Sequence, residues 1–186
     1  DVIIAGGHYN SWELYALTMP MYHQHQGIGV YKPLSSAFFD KKMRSSREQF
    51  GLKLIPMKES AWYFANPDKQ IRRAYILGGD QSPSNPNNAY WMNFLNQDTG
   101  VLFGTEKYAK QHDLPVIFGL ATKIKRGYYS LTYKVLIEEP KEASYGKITE
   151  DHTKTLEKQI LDLPQYWLWS HRRWKHKRPS DLTQYE

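Results

Sequence analysis

The sequence predicts a single α/β domain, a mainly parallel central sheet flanked by helices. Three observations carry this expectation. Short β-branched runs alternate with amphipathic stretches along most of the chain, two of those runs end in glycine pairs, and 186 residues with 40% apolar side chains suffice to bury one core. With no internal repeat and no linker long enough to divide it, the chain is read as one domain over residues 1–186.

The elements follow in order. Residues 2–5 are a continuous β-branched and apolar run ended by Gly6-Gly7, which predicts a central strand and a tight turn. Asn10 is a good N-cap with Glu13 three residues later, so a helix is expected next, fed by Trp12, Leu14, Tyr15, Leu17 and Met19 and kinked or stopped by Pro20. Residues 27–31 read as a second strand, and residues 37–49 as a helix that ends at Gly51. A strand is expected over 52–57, a weakly determined helix up to Pro67, and a strand over 73–77 that runs into Gly78-Gly79-Asp80-Gln81. The Asn/Pro-rich residues 82–88 are a loop. Residues 99–112 read as a helix, 115–122 and 128–137 as strands joined across Lys125-Arg126-Gly127, and 150–161 as an amphipathic helix.

Composition narrows the function. The absence of cysteine excludes disulfides, thiolate metal sites and any zinc-finger reading. The longest apolar runs, near residues 114–121 and 131–137, fall well short of the roughly 20 residues that span a bilayer. No signal peptide is visible, and the chain opens on a strand already under way, so a fragment lacking its natural N-terminus is expected. A formal charge of +6 favours acidic partners: nucleic acid, phospholipid headgroups, phosphorylated sugars or an acidic carrier protein. The 6 Trp and 14 Tyr suit a membrane interface or lipid-lined groove, or equally an aromatic core with a wet rim.

His8 and Glu13 flank the expected turn between the first strand and its helix. If that loop folds the carboxylate onto the imidazole, Glu13 holds one ring nitrogen and the other is free to take a proton from a hydroxyl. The same spacing recurs at His152 and Glu157, inside a helical pattern where five residues rotate by about 500° and leave the side chains roughly 140° apart. Spacing alone is therefore weak, and the strand, glycine turn and helix around His8 carry the weight. A capping-box role for Glu13 and a turn-closing role for His8 stay open beside the catalytic one.

Several ordered blocks resemble the bacterial lipid A late acyltransferases, a branch of the wider glycerolipid acyltransferase superfamily with its His-x4-Asp/Glu signature. The first is Gly7-His8-Tyr9-Asn10-Ser11-Trp12-Glu13-Leu14, similar to the family's G-H-(F/Y)-x-x-W-E. Val30-Tyr31-Lys32-Pro33-Leu34 resembles its V-Y-(R/K)-P-L, and Asp40 through Met43-Arg44 and Arg47 to Phe50-Gly51 resembles its R-x-x-F-G helix end. Gly79-Asp80-Gln81 is similar to the A/G-D-Q turn, and Pro115-Val116-Ile117 to a late strand. Pro164-Gln165-Tyr166-Trp167-Leu168-Trp169-Ser170-His171-Arg172-Arg173-Trp174-Lys175 resembles P-x-Q-(Y/W)-x-W-x-H-R-R-(F/W)-K. The family's membrane-anchoring segment before the histidine block is absent, Lys32 stands where arginine is common, and the loop after Gln81 departs from the pattern.

The resemblance implies an O-acyltransferase that moves a fatty acyl chain from acyl carrier protein to a hydroxyl of a phosphorylated lipid A precursor, at the cytoplasmic face of the inner membrane of a Gram-negative bacterium. It implies no metal or redox cofactor. His8 would be the general base and Glu13 its orienting carboxylate. Arg44, Arg47, Lys32, Asp80 and Gln81 would organise the acceptor or the developing oxyanion. Read from residues alone, Arg44 and Arg47 fit a solvated helix face better than a phosphate clamp, and Asp80 fits equally a carboxylate orienting a neighbouring arginine beside a ligand and a turn cap. Trp91, Met92, Phe94 and Leu95 are expected to be core, with an acyl channel as the alternative. The basic tail, including Arg172, Arg173, Trp174 and Lys175, is expected to contact an anionic membrane or the carrier protein; no nucleic-acid signature accompanies it. Two rivals are a lysophospholipid or aminolipid acyltransferase, and a non-catalytic basic module binding anionic lipid or nucleic acid.

Overall fold

The computed structural model describes residues 1–180. Among them are eight strands: β1 (Val2–Gly6), β2 (Gln26–Tyr31), β3 (Lys53–Pro56), β4 (Arg73–Gly78), β5 (Ala89–Phe94), β6 (Gln97–Leu102), β7 (Val116–Lys125) and β8 (Tyr128–Ile137). Six of them form one sheet in the order β3-β2-β4-β1-β7-β8, parallel except for β8 at the edge. The helices are α1 (Leu14–Tyr22), α2 (Ala37–Glu48), α3 (Ser60–Ala65), α4 (Gly104–His112) and α5 (Lys147–Asp162). This is the α/β domain with a mostly parallel sheet that the alternating pattern predicts.

Strand alternation divides the core. Ile3 and Ala5 of β1 face the cluster that contains Phe64 of α3, Ala109 of α4 and Leu156 of α5, whereas Ile4 faces Met19 of α1. Helices α3, α4 and α5 thus cover one face of the sheet. On the other, α1 and α2 cover the surface carrying Ile4, Leu52, Leu54 and Ile76. At its N-terminus α5 is capped from a distance, because the fully buried Glu106 accepts hydrogen bonds from the Gly146 and Thr149 amides and the Thr149 hydroxyl.

Two expectations fail locally. The helix expected over 99–112 is strand β6 as far as Leu102 and helix only from Gly104. β5 and β6 form a separate antiparallel hairpin, and its two-residue turn, Leu95-Asn96, takes positive φ at both positions without a glycine to announce it. The Leu95 amide is held by the Glu157 carboxylate of α5, and its side chain packs on the core, which offsets the cost of a left-handed leucine. Helix α1 starts at Leu14 instead of just after Asn10: Asn10 takes φ +55 and its side chain accepts from the Ser11 amide, so it closes a turn and does not cap a helix. Pro20 lies inside α1 and does not end it.

Candidate active site

The parallel register of β1 and β4 builds the site. Gly6 pairs with Gly78, and each strand then continues into a second glycine and a functional side chain, His8 on one and Asp80 on the other. Two residues past a matched pair, those side chains meet. The glycines allow the approach: a Cβ on Gly7 would lie 2.6 Å from a Leu156 methyl and 3.1 Å from an Asp80 carboxylate oxygen, and one on Gly79 would lie 2.9 Å from the His152 ring.

Asp80 Oδ1 accepts from His8 Nδ1 at 2.7 Å, while its Oδ2 accepts from the His8 amide at 2.8 Å and from Trp167 Nε1 at 2.9 Å. Burial alone would raise this carboxyl, but the donors on His8 and Trp167 outweigh it and hold Asp80 below the ordinary carboxylate range. An ionised carboxylate only accepts, so Nδ1 carries a proton and, in the neutral ring, Nε2 presents a lone pair. That nitrogen lies 3.4 Å from the Gln81 side-chain amide, and the Trp12 indole packs edge-on at 4.7 Å.

The carboxylate expected on the imidazole, that of Glu13, is engaged elsewhere. Glu13 binds Arg47 through two hydrogen bonds, Nε to Oε2 at 2.9 Å and Nη2 to Oε1 at 2.5 Å. The backbone explains why. His8 and Glu13 are joined by an irregular loop, and α1 begins only after Glu13, so the carboxylate faces α2 instead of folding back on the ring. Arg47 also lies over Trp12, which is therefore packed between the histidine and the guanidinium.

A cavity of about 570 Å³ opens on this group. His8, Gln81, Glu13 and Arg47 line its polar end, Lys32 and Leu34 its mouth, and Leu52, Leu54 and Ile76 its apolar floor on the α1 and α2 face. Both its size and its mix of an apolar wall with a few convergent polar groups suit a ligand site. Of the other expected residues, Arg44 leans toward Glu48 at 3.6 Å and over the Tyr31 ring, outside the cavity lining. Trp91, Met92 and Phe94 are buried in β5 and none lines the cavity.

The basic tail is only partly a surface. Arg172 and Lys175 are exposed, but Arg173 is 4% exposed and donates to the Gly100 carbonyl at 2.7 Å, and Trp174 donates to Thr99 Oγ1 at 2.8 Å. Burial pushes Arg173 down to about 10, with Asp80 pulling the other way, so it remains a cation at neutral pH. The expectation that Arg173 and Trp174 contact a membrane or carrier is therefore corrected: both are directed inward, where a buried cation faces a buried anion. Residues 164–174 act as a strap. The Leu168 amide donates to the His8 carbonyl, the Asn10 amide to the Tyr166 carbonyl, and the Ser82 amide to His171 Nε2.

Sequence reasoning placed Asp80 near the acceptor but missed it as the partner of the imidazole, and missed Trp167 as its donor and His171 as the residue that holds the Ser82 amide. The signal was present. Gly6-Gly7-His8 and Gly78-Gly79-Asp80 are the same ending on two strands, which in a parallel sheet marks neighbours whose next residues converge.

A search of curated proteins returns no match for this chain. One family model, described as bacterial lipid A biosynthesis acyltransferase, matches residues 1–176, spanning both strand ends, the cavity and the strap. The chain belongs to the bacterial lipid A biosynthesis acyltransferase family.

Proposed function

We propose that this acyltransferase moves a fatty acyl group from an acyl carrier protein thioester to a hydroxyl of a phosphorylated lipid A precursor, with His8 as general base. We also assign it to the glycerolipid acyltransferase type of fold and to the cytoplasmic face of the inner membrane. The observation that carries the mechanism is the polarity of His8: Nδ1 is fixed by a buried carboxylate while Nε2 faces a cavity with an apolar floor. In the reaction, the acceptor hydroxyl loses its proton to Nε2 as its oxygen attacks the thioester carbonyl. The tetrahedral oxyanion then collapses, the C–S bond breaks, and the imidazolium returns the proton to the departing thiolate. Asp80 stabilises that imidazolium and fixes the tautomer. Arg47, steadied by Glu13, and Gln81 supply donors near the reacting atoms, and Lys32 at the mouth offers a charge to the acceptor phosphate.

The test is transfer of labelled acyl groups from acyl carrier protein, comparing wild type with His8→Ala and a lipid A precursor with a lysophospholipid. A loss of about 10³-fold or more in the variant, with the lipid A precursor preferred, is expected. Equal rates in variant and wild type refute the role of His8, and preference for the lysophospholipid refutes the acceptor.

A further inference from the structure

We propose that the end of the sheet carrying the active site is itself a lipid-facing surface, seated on an anionic bilayer by two flanks: the first turn of α2 and the tip of the β7–β8 hairpin. The inference deepens the reading above, because it rests on the acceptor being a membrane lipid, and it supplies the contact surface in place of the inward-turned part of the tail.

Topology sets both flanks at one end. β1 and β7 are parallel with Ala5 opposite Phe118; β1 stops at Gly6, whereas β7 continues to Lys125. At about 3.3 Å per residue the hairpin tip stands roughly 20 Å beyond the level at which β1 ends, on the His8 side. Across the sheet, β2 ends at Tyr31 on that same side, and the chain passes through Lys32 and Leu34 at the cavity mouth into α2. β3, parallel to β2, ends there too and delivers Met57.

What those flanks display is apolar and aromatic. Phe38 is 70% exposed, Phe39 58%, Ile124 67% and Tyr128 60%, and no residue of α2 is buried. Apolar side chains on both sides of a cavity mouth mark a surface that works while covered. The charges beside them are positive: Lys41 and Lys42 on α2, and Lys123, Lys125 and Arg126 on the hairpin, all exposed. Asp40 is the one acidic side chain within residues 32–42 and 123–129, and it is occupied by the Leu34 amide and the Tyr31 hydroxyl. Lys125 sits 4.3 Å above the Tyr128 ring, leaving the other face of the ring for apolar contact. Aromatic rings interleaved with lysine and arginine are the composition that binds the headgroup and acyl boundary of an anionic leaflet. Among the described residues no helix is long and apolar enough to cross a membrane. Seated this way, the cavity mouth opens between the flanks onto the lipid, and an acceptor reaches His8 with its acyl chains still in the bilayer.

The experiment is flotation of the whole chain with phosphatidylcholine vesicles and with vesicles that also contain phosphatidylglycerol, at low and high salt. It compares wild type with Phe38→Ser/Phe39→Ser and with Ile124→Ser/Tyr128→Ser. These side chains are exposed, and thermal melts check that each variant folds. Binding is expected to be at least about tenfold tighter on the anionic vesicles, weakened by salt, and reduced about tenfold or more by either pair of substitutions. Binding that ignores both pairs overturns the proposal. So does a wild type that stays off the vesicles and uses these side chains either to pair with a second copy, seen as a change in mass in the variants, or to hold an acidic carrier protein. Flotation needs no acyl transfer, so failure of the reaction and failure of this surface are read separately.

Discussion

Replacing Asp80 by asparagine tests the core of the mechanism. The carboxylate lies 2.7 Å from Nδ1 and is 6% exposed, so its charge acts on the ring with little screening. Asparagine keeps the shape, and its amide oxygen can still accept from the His8 amide and Trp167 Nε1; the structural cost should stay near 1–2 kcal/mol. The chemical cost is larger. A neutral amide neither stabilises the imidazolium nor obliges Nδ1 to keep the proton, and a loss of roughly 10²–10⁴-fold in kcat, or about 3–5 kcal/mol of barrier, is expected. The assay is single-turnover acyl transfer, run beside Glu13→Gln. Glu13→Gln disturbs only the hold on Arg47 and should cost about tenfold, mostly in KM. If Asp80→Asn is nearly as active as wild type while Glu13→Gln collapses, the imidazole is partnered by Glu13 during turnover and the reasoning from the static geometry is wrong.

Other consequences are testable on the same protein. Trp167→Phe removes the indole donor to Asp80 but lies outside the cavity lining, so kcat should fall about tenfold with KM unchanged, and the effect should vanish in an Asp80→Asn background; additive losses would show a merely structural role. His152 is fully buried beside Gly79 and burial lowers it to about 4. Between that value and its ordinary 6.5 the unfolded chain binds the extra proton, so stability rises with pH across this window and is lost as pH falls. Urea unfolding should show wild type losing about 2 kcal/mol more than His152→Leu between pH 7 and pH 5; parallel losses in the two proteins would contradict the buried neutral ring. Glu106→Ala leaves three donors at the start of α5 unpaired and should cost about 2–4 kcal/mol in thermal or denaturant unfolding, whereas a change below about 0.5 kcal/mol would mean that water replaces the cap.

The strands at residues 2–5, 27–31 and 73–77, the helix over 37–49 and the long hairpin after Pro115 were legible because their patterns agree with their surroundings. The β5–β6 hairpin was not, because a leucine and an asparagine occupy a turn that usually advertises itself with glycine. Within the candidate site, the position of His8 just past the end of β1 was legible from the strand and glycine pair before it. Its partner was not, since proximity in sequence favoured Glu13 while proximity in space is decided by sheet order, which places β4 beside β1. The tail misled for a related reason: a run of arginine and tryptophan looks alike on a surface and in a strap, and the Gly100 carbonyl that holds Arg173 inward is far away in sequence.

The strap bears on when the protein becomes an enzyme. His8 and Asp80 are 72 residues apart, and Asp80 and Trp167 are 87 apart, so the site is closed by long-range contacts. Such contacts form last, after the local elements have condensed. During synthesis the histidine emerges well before the strap, so its carboxylate lacks the Trp167 donor, and the loop around it lacks an anchor, until residues 164–174 follow. A chain stopped before residue 164 would thus keep the carboxylate beside the imidazole but lose the Trp167 donor and the Leu168 contact that steady the pair. The steadied pairing of His8 with Asp80 is thereby made conditional on residues 164–174, which reach it only once the strands between them have been laid down.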